Sequence, residues 1–339
     1  MFGHAERPAT HLQHITVGAG YTRKGHSADT RQGNGRGIDK VFTRGVTASV
    51  VASAPPVWSL SMQISPRYDG VPVLHMPALP PDQLAPLVRQ RRRMETMLTG
   101  LSEAKWSADS RCAEWTVQDV VSHLVGVSAF WQLSVASGAA GKPTRFLAGF
   151  DPEATPKAMV ASMTSLSNRE VLAQFIASND SLIDVLTAFG PDDWSSLAES
   201  PPGHVPIQIV APHALWDAWT HERDIALPLG LACSLEDDEV ATCLMYAASL
   251  SAAFLSTTDP SFAGRFAIEA TDPDVSVTIH VSDRVVVEHG HDGATPLLAG
   301  RTVDLIESLS IRSPLPANTP EPWQRLVTGL GTVFTAADV

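Results

Sequence analysis

The sequence has few cysteines. Cys112, Cys233 and Cys243 are the only three in 339 residues, and no two of them form a CxxC pair. An odd count without such pairs excludes a disulfide framework or a cysteine-rich zinc site as an organising feature, and it favours a reducing, cytoplasmic location. The first residues do not combine a charged start with an apolar run, so we expect no signal peptide.

Long apolar runs and positive charge are scarce as well. No uninterrupted apolar stretch approaches the roughly 18 residues that cross a membrane, and the longest candidate, Leu244–Leu255, is broken by serines. The formal net charge is -12, whereas a protein that binds nucleic acid needs a basic surface. We therefore expect neither a membrane nor a nucleic acid as partner.

Residues 1–78 differ from the rest of the chain. Residues 1–80 carry a net charge of +4 and the remainder carries -16. Apart from the short apolar pieces Val46–Val51 and Val71–Leu74, which are candidates for isolated strands, residues 1–78 follow neither helical nor strand periodicity. Together with glycine-rich stretches such as Gly33–Gly37, this predicts a mostly disordered extension.

Helical periodicity begins near residue 80 and ends before residue 260. It predicts helices over about 84–101, from 117 to a stop at 138–143, and over 154–166, 168–189, 206–227 and 235–256. Thr116 with Asp119 three residues later indicates a capping box for the second of these helices. Strand-like alternation follows over 266–270, 275–281 and 285–288, and then helices over 302–311 and 322–330. The sequence thus predicts a helical domain over 79–258 and a small α+β domain over 259–339.

A run of arginines lies on the first helix, at Arg89, Arg91, Arg92 and Arg93. Such a run usually forms a solvated face, and we favour that interpretation over an anion-binding site.

One group of residues has the types and spacing of a metal site. Asp217 and His221 are four apart on the helix predicted over 206–227, so they share one face. His123 lies on the core-facing stripe of an earlier helix, where an imidazole needs a buried partner. Three protein ligands leave an open coordination position, as catalytic zinc requires.

Other interpretations of the same residues stay open. A single buried histidine is more often a hydrogen-bonded core residue than a ligand, and an Asp and a His four apart occur often by chance. His213 lies two turns from His221, so it is a further candidate ligand, an outer partner or a neighbour. Trp216 and Trp219 flank Asp217 and are our candidates for lining a cofactor pocket, although tryptophans at helical spacing more often serve packing.

Two motifs resemble those of a known family. Residues 115–124 read WTVQDVVSHL and residues 216–225 read WDAWTHERDI. They resemble the "gWtv.dvv.HL" and "fDtwvHerDI" motifs of the mycothiol-dependent maleylpyruvate isomerase-like family, part of the DinB-like superfamily. The resemblance covers roughly residues 84–312, and the two motifs together are fairly specific.

The resemblance implies a fold, a metal and a thiol. The fold would be an antiparallel four-helix bundle followed by a small α+β domain like the sterol-carrier modules. The metal would be zinc or a similar divalent ion held by His123, Asp217 and His221, and the isomerase itself has Glu at the position of Asp217. Asp224 would orient an imidazole. Arg312, which matches the family's "GR" element without its glycine, would bind an anion or act in catalysis, unless it is simply a solvated helix end.

The function implied is activation of mycothiol, a small sugar-linked thiol. A thiol that loses its proton at a metal attacks an electrophilic carbon. With maleylpyruvate this gives cis–trans isomerisation, and with another small electrophile it gives S-transfer. The alternatives are a metal-dependent hydrolase with Asp224 or Glu222 as base, a non-enzymatic metal-containing binding protein, and a protein without metal.

Overall fold

The computed structural model describes residues 65–331, except residues 153, 260 and 294. Residues 1–64, which make up most of the predicted extension, lie outside this part of the chain. The rest of that extension differs from the prediction. Strand β1, Leu74–His75, pairs in parallel with a strand of the C-terminal sheet, because Val73 and Leu74 are apolar and fully buried there.

Seven α-helices and one hairpin follow in the described part of the chain, up to residue 258. The helices are α1 (Leu84–Thr99), α2 (Glu103–Trp106), α3 (Val117–Ala139), α4 (Ala154–Ala161), α5 (Asn168–Thr187), α6 (Ile207–Ala226) and α7 (Asp237–Thr258). Strands β2 (Leu197–Ser200) and β3 (Gly203–Pro206) form an antiparallel hairpin before α6.

The long helices begin where the sequence places caps. Thr116 accepts from the Asp119 amide while the Asp119 side chain accepts from Thr116, which confirms the predicted capping box of α3. Ser167 and Glu170 form a second capping box at the start of α5. Each box satisfies backbone amides that a helix N-terminus otherwise leaves unpaired.

Four of the five long helices, α1, α3, α5 and α6, pack on one another around a shared core. Helix α3 contacts α5 and α6, and α1 contacts the same two helices. Helix α6 is buried on nearly all sides, so its polar side chains lie inside the protein. A hydrogen-bonding or charged group on α6 therefore needs a partner or a ligand.

Two helices are long and apolar enough to cross a membrane by length and composition alone, namely α3 and α7. This differs from the expectation that no stretch approaches that length. In the structure α7 contacts α6, α8, α9 and the sheet, and 83% of its most apolar window is buried. A helix enclosed on all sides is apolar all round because it is a core element.

The C-terminal part forms one mixed sheet with two helices. It contains β4 (Gly264–Thr271), β5 (Val275–Val281), β6 (Val285–His289), β7 (Leu297–Arg301), α8 (Thr302–Leu309) and α9 (Glu321–Gly331). The strand order is β1-β6-β5-β4-β7, with β7 parallel to β4 and the central pairs antiparallel. The three predicted strands and two predicted helices are confirmed, whereas β7 was not predicted. Both α8 and α9 pack on α7.

Candidate metal centre

His123, Asp217 and His221 come together between α3 and α6. One potential ligand atom from each of the three lies within 4.8 Å of the others. The two imidazole rings are 5.1 Å apart between centroids, and His221 Nε2 lies 3.8 Å from Asp217 Oδ1. Three side chains from two helices, separated by up to 98 positions in the sequence, thus surround one point.

Two atoms of this cluster are buried without a hydrogen-bond partner. They are Nδ1 of His123 and Oδ2 of Asp217. Buried polar atoms in native proteins nearly always have a partner, and an exception at a cluster of potential ligands indicates a missing ion or water. Two imidazole nitrogens and a carboxylate oxygen are a donor set that zinc accepts. The residues present therefore fit a divalent cation.

The cluster is close to the surface on one side. The side chain of His221 is 11% exposed and that of Asp217 is 15% exposed. A small molecule can therefore approach the point that the three ligands surround. This arrangement is typical of a catalytic rather than a purely structural metal site.

Asp224 bonds to the ring nitrogen of His221 that faces away from Asp217. Its Oδ2 lies 3.0 Å from His221 Nδ1, and its carboxylate is fully buried. When a neutral His221 donates from Nδ1 to this carboxylate, Nε2 has no proton and is free to bind a cation beside Asp217. Such a carboxylate–histidine contact is the usual outer support of a metal-bound imidazole.

Arg312 in turn holds Asp224. Its Nε donates to Oδ1 at 3.0 Å and its Nη2 donates to Oδ2 at 2.9 Å. Burial alone raises the pKa of Asp224, but the hydrogen bond with His221 and the charge of Arg312 outweigh it and lower that pKa below its usual value. Asp224 is therefore a carboxylate under all ordinary conditions. Arg312, predicted from a weak motif match, is next to the cluster and is not a solvated helix end.

The C-terminal part presents Arg312 to the helices. Arg312 follows Ile311, which has φ of 52°, a strained value for a β-branched residue. Trp216 Nε1 donates to Ser310 Oγ at 2.9 Å, and Glu307 accepts from Arg111 and Arg223. The site is therefore assembled from both parts of the chain.

The pKa values of the three proposed ligands follow from burial and from each other's charges. Burial lowers the pKa of His123 well below 6.5, and His221 and Arg312 lower it further. Burial raises the pKa of Asp217, and the nearby His221 and Arg91 oppose that shift. Burial lowers the pKa of His221, but Cys112, Asp224 and Asp217 outweigh it and bring the pKa to about 10. Without a cation, His221 thus carries the positive charge of the cluster.

Cys112 also lies at the site, although sequence reasoning missed it. Its Sγ is 3.2 Å from Asp224 Oδ2 and 3.6 Å from His221 Nδ1. Cys112, His221 and Asp224 form a second group of potential ligands, but Arg312 already occupies both oxygens of Asp224, which disfavours a cation there. The only signal in the sequence is that Cys112 lies three residues before the first motif.

Trp216 and Trp219, the candidates for a cofactor pocket, are both buried. Trp216 is 8% exposed and Trp219 is 1% exposed. The guanidinium of Arg223 lies over the Trp219 ring at 4.8 Å, so that ring has a partner of its own. Trp216 lies nearer to the site through its bond to Ser310, and a role for either ring in cofactor binding stays a prediction.

His213 belongs to a different cluster. Its Nδ1 lies 3.1 Å from Ser200 Oγ and within hydrogen-bond distance of the Tyr246 hydroxyl. Its ring packs on Trp131 with 4.4 Å between centroids. Burial lowers the pKa of His213 to about 3. These contacts identify His213 as a neutral, hydrogen-bonded core residue.

The prediction that the arginine run forms a solvated face is wrong for Arg91. Its side chain is fully buried and donates to three acceptors, namely Ser128 Oγ, Asn179 Oδ1 and Ala214 O. These contacts link α1 to α3, α5 and α6. The helical period places Arg91 on the inner face of α1, whereas Arg92 is exposed and Arg89 and Arg93 are partly exposed.

A known protein family matches the part of the chain that contains the cluster of proposed metal ligands. Residues 87–226 match the family model of the mycothiol maleylpyruvate isomerase N-terminal domain. The match spans 140 of the 339 residues and lies within the helical part of the chain. It contains most of α1, all of α6 and every proposed metal ligand, and Arg312 lies outside the match.

Solved structures resemble the chain over a longer stretch. A crystal structure of the mycothiol-dependent maleylpyruvate isomerase has a TM-score of 0.51 and 13% identity, and it covers 68% of this chain and 88% of its own. A mutant of that enzyme gives a TM-score of 0.50 with the same identity and coverage. At this identity the likeness establishes the fold alone, which is mainly α. Comparison with curated protein sequences finds no significant match.

Proposed function

We propose that this protein is a metal-dependent enzyme that activates a low-molecular-weight thiol, mycothiol, for isomerisation or S-transfer on a small electrophile such as maleylpyruvate. The single observation that carries the proposal is the pair of orphaned buried atoms, His123 Nδ1 and Asp217 Oδ2, in a cluster of three ligands that is open on one side. The matching family supplies the identity of the thiol.

His123, Asp217 and His221 would hold the cation, which we take to be zinc or a similar divalent ion. Bound there, the ion stabilises the thiolate form of a coordinated thiol at neutral pH. Asp217 contributes the one negative charge among the three ligands, so the site retains net positive charge to attract an anionic sulfur.

Asp224 and Arg312 would act as positioning residues. Asp224 accepts the Nδ1 proton of His221 and so keeps Nε2 free to bind. Arg312 holds Asp224 through both oxygens and adds a positive charge within reach of the cluster. That charge suits a substrate with a carboxylate, as maleylpyruvate has.

The proposed chemistry conserves the thiol during isomerisation. The sulfur adds to one carbon of the double bond, and the other carbon takes the electron pair as an enolate conjugated with the carbonyl. The remaining single bond rotates, the enolate re-forms the double bond, and the carbon–sulfur bond breaks to release the thiolate. With an electrophile that has a leaving group, the carbon–sulfur bond persists and the thiol is consumed.

Hydrolysis by a metal-activated water is the weaker alternative. Both bases considered for it are occupied. Asp224 is paired with Arg312, which lowers its pKa, so it is a poor acceptor of a proton from water. Glu222 bonds to Arg93 and Gln90 of α1.

We take α1, α3, α5 and α6 as the antiparallel bundle of the DinB-like proteins and residues 259–339 as a domain like the sterol-carrier modules. This division supports the proposal because Arg312 and Ser310 contact Asp224 and Trp216 from outside the bundle. The partners are then a small thiol and a small electrophile, with no role for nucleic acid or membrane.

The test measures metal and turnover in the same preparation. Purified protein supplied with zinc and mycothiol is assayed for isomerisation of maleylpyruvate and for consumption of model electrophiles. We expect turnover that requires both metal and thiol. Loss of one mycothiol for each electrophile converted identifies a transferase. Many turnovers with mycothiol left unconsumed identify an isomerase. Turnover without any thiol would favour the hydrolase, and a metal-bound protein without turnover would favour a binding role.

A further inference from the structure

Glu307, near the end of α8, joins the C-terminal part of the chain to the helical part. Its Oε2 accepts a hydrogen bond from Arg111, in the loop between α2 and α3, and its Oε1 accepts one from Arg223 of α6. All three side chains are largely buried. Hydrogen bonds between a carboxylate and a guanidinium are stronger than those between neutral groups, and their geometry is more specific.

Glu307 is ionised in this arrangement. Burial raises the pKa of Glu307, but the hydrogen bonds from Arg111 and Arg223 outweigh it and hold that pKa below its usual value. One carboxylate thus binds two guanidinium groups, which come from different segments of the helical part. A neutral side chain at this position would leave two largely buried arginines without their charged acceptor.

Arg111 also reaches the residues that support the metal cluster. Its backbone amide donates to the carbonyl of Asp224 at 3.0 Å, and its Nε lies 3.8 Å from the carboxylate of Asp224. Its Nη2 donates to the backbone carbonyl of Arg312 at 3.1 Å. A single arginine therefore contacts Glu307 on α8, Arg312 in the turn after α8 and Asp224 on α6.

The turn that carries Arg312 is held in an unfavourable backbone conformation. Ile311 has φ of 52°, and such a conformation persists only where the surrounding contacts hold it. The amide of Arg312 donates to the carbonyl of Glu307 at 2.8 Å, so the position of Glu307 sets where the turn begins. The bonds of Arg111 to Glu307 and to the Arg312 carbonyl supply the restraint on the side that faces the helices.

We propose that Arg111 and Glu307 are positioning residues, which fix the turn after α8 so that the guanidinium of Arg312 stays on Asp224 beside the metal cluster. The inference rests on the proposed function, to which it adds the residues that hold Arg312. It also gives the C-terminal part a task in the reaction, because Glu307 and Arg312 both come from it.

The first test follows the Nε–H group of Arg312, which donates to Asp224, by hydrogen exchange in heteronuclear NMR of arginine side chains. Its signal is the one that Arg312→Lys removes. In Glu307→Gln and in Arg111→Met we expect this group to exchange about ten-fold faster, the effect of losing one charged hydrogen bond.

A reference signal and a control variant separate this effect from general loosening. The Nε–H group of Arg93, which donates to Glu222, is identified by Arg93→Lys and should exchange in Glu307→Gln as it does in wild type. The matched control Asp304→Asn removes an exposed carboxylate from the same helix as Glu307. It should change neither exchange rate.

Kinetics with maleylpyruvate at saturating zinc then test whether the position of Arg312 matters for the reaction. Glu307→Gln should raise KM by about ten-fold, because a displaced Arg312 binds the substrate carboxylate less well. A loss of folded protein alone would instead lower kcat and leave KM unchanged. Combining Glu307→Gln with Arg111→Met should add little to either single change, because both variants break the same bond.

Each outcome decides between the two proposals. Equally faster exchange at Arg312 and Arg93 would indicate general loosening and overturn the positioning role. Unchanged exchange at Arg312, an unchanged KM or additive effects in the double variant would overturn it as well, while the proposed function stands. Faster exchange at Arg312 alone, in a protein that turns over no maleylpyruvate in its wild-type form, supports the positioning of Arg312 and overturns the proposed function.

Discussion

Two buried histidine clusters lie along helix α6, and they differ in how their polar atoms are satisfied. His213 has hydrogen-bond partners in Ser200 and Tyr246 and is 4% exposed. The cluster of His123, Asp217 and His221 is partly exposed and contains two buried atoms without a partner. The first cluster is complete as it stands, whereas the second needs a ligand.

The difference shows why residue type alone does not identify a metal site. In the sequence, His213 and His221 were both candidates, because both follow helical spacing with Asp217. The side chains around them decide their roles. Burial keeps His213 neutral and the hydroxyls of Ser200 and Tyr246 are its partners, whereas the carboxylate of Asp224 bonds to Nδ1 of His221 and leaves Nε2 beside Asp217.

The largest expected difference between the clusters is in metal content. His221→Ala and His123→Ala each remove one of three ligands, so we expect the metal-to-chain ratio to fall from near one to near zero. His213→Gln should leave the ratio unchanged. Elemental analysis of the purified variants measures this ratio. An equal loss of metal in His213→Gln and His221→Ala would contradict the claim that only the second cluster binds metal.

A smaller loss of metal binding is expected when Asp224, which accepts a hydrogen bond from His221, is replaced. Asp224→Asn leaves the three ligands in place but loses the charged acceptor for the Nδ1 proton, so we expect metal affinity to fall about 10–100-fold. The matched control is Glu222→Gln on the same helix, whose carboxylate bonds to Arg93 rather than to His221. Titration of the metal against a chelator gives both affinities, and equal losses would mean a general effect on folding.

The buried cluster around His213 should make the free energy of unfolding depend on pH. The pKa of His213 is about 3 when folded, against 6.5 for an ordinary histidine. The unfolded chain therefore binds a proton that the folded chain does not. This contribution to stability is complete above about pH 6.5 and falls by about 1.4 kcal/mol per pH unit below it. The free energy of unfolding of wild type, compared with that of His213→Gln, should show this slope between pH 6 and 4, and parallel curves would contradict it.

The smallest effect is expected at Tyr246. Tyr246→Phe removes the hydroxyl that bonds to His213 and keeps the ring, so we expect a loss of about 1 kcal/mol of stability. Metal content should not change, because Tyr246 is not among the potential ligands. Denaturant unfolding with metal analysis on the same sample checks both statements.

The sequence predicted the elements that depend on local signals. Thr116 and Asp119 define the start of α3 through their own side chains, and alternation along β5 marks its buried face. Asp217 and His221 are brought together by helix geometry alone. The convergence of His123 with them was predicted from its core-facing position and from a family resemblance, and the structure places it within reach.

Other features depend on contacts that a single sequence does not display. Arg91 is the same residue type as the exposed Arg92 beside it, and only the packing of α1 against α3, α5 and α6 shows that Arg91 is buried. Cys112 reaches Asp224 because the loop before α3 folds over the end of α6. The apolar piece Val71–Leu74 indicated a strand close to β1, but its pairing with β6 depends on an edge that lies some 210 residues further along the chain.

The most direct test of the metal centre is an anomalous difference map from crystals grown with zinc and measured above the zinc absorption edge. The account predicts one peak about 2.0–2.2 Å from a ring nitrogen of His123, Nε2 of His221 and a carboxylate oxygen of Asp217. A peak between Cys112, His221 and Asp224 instead, or no peak at either place, would contradict it.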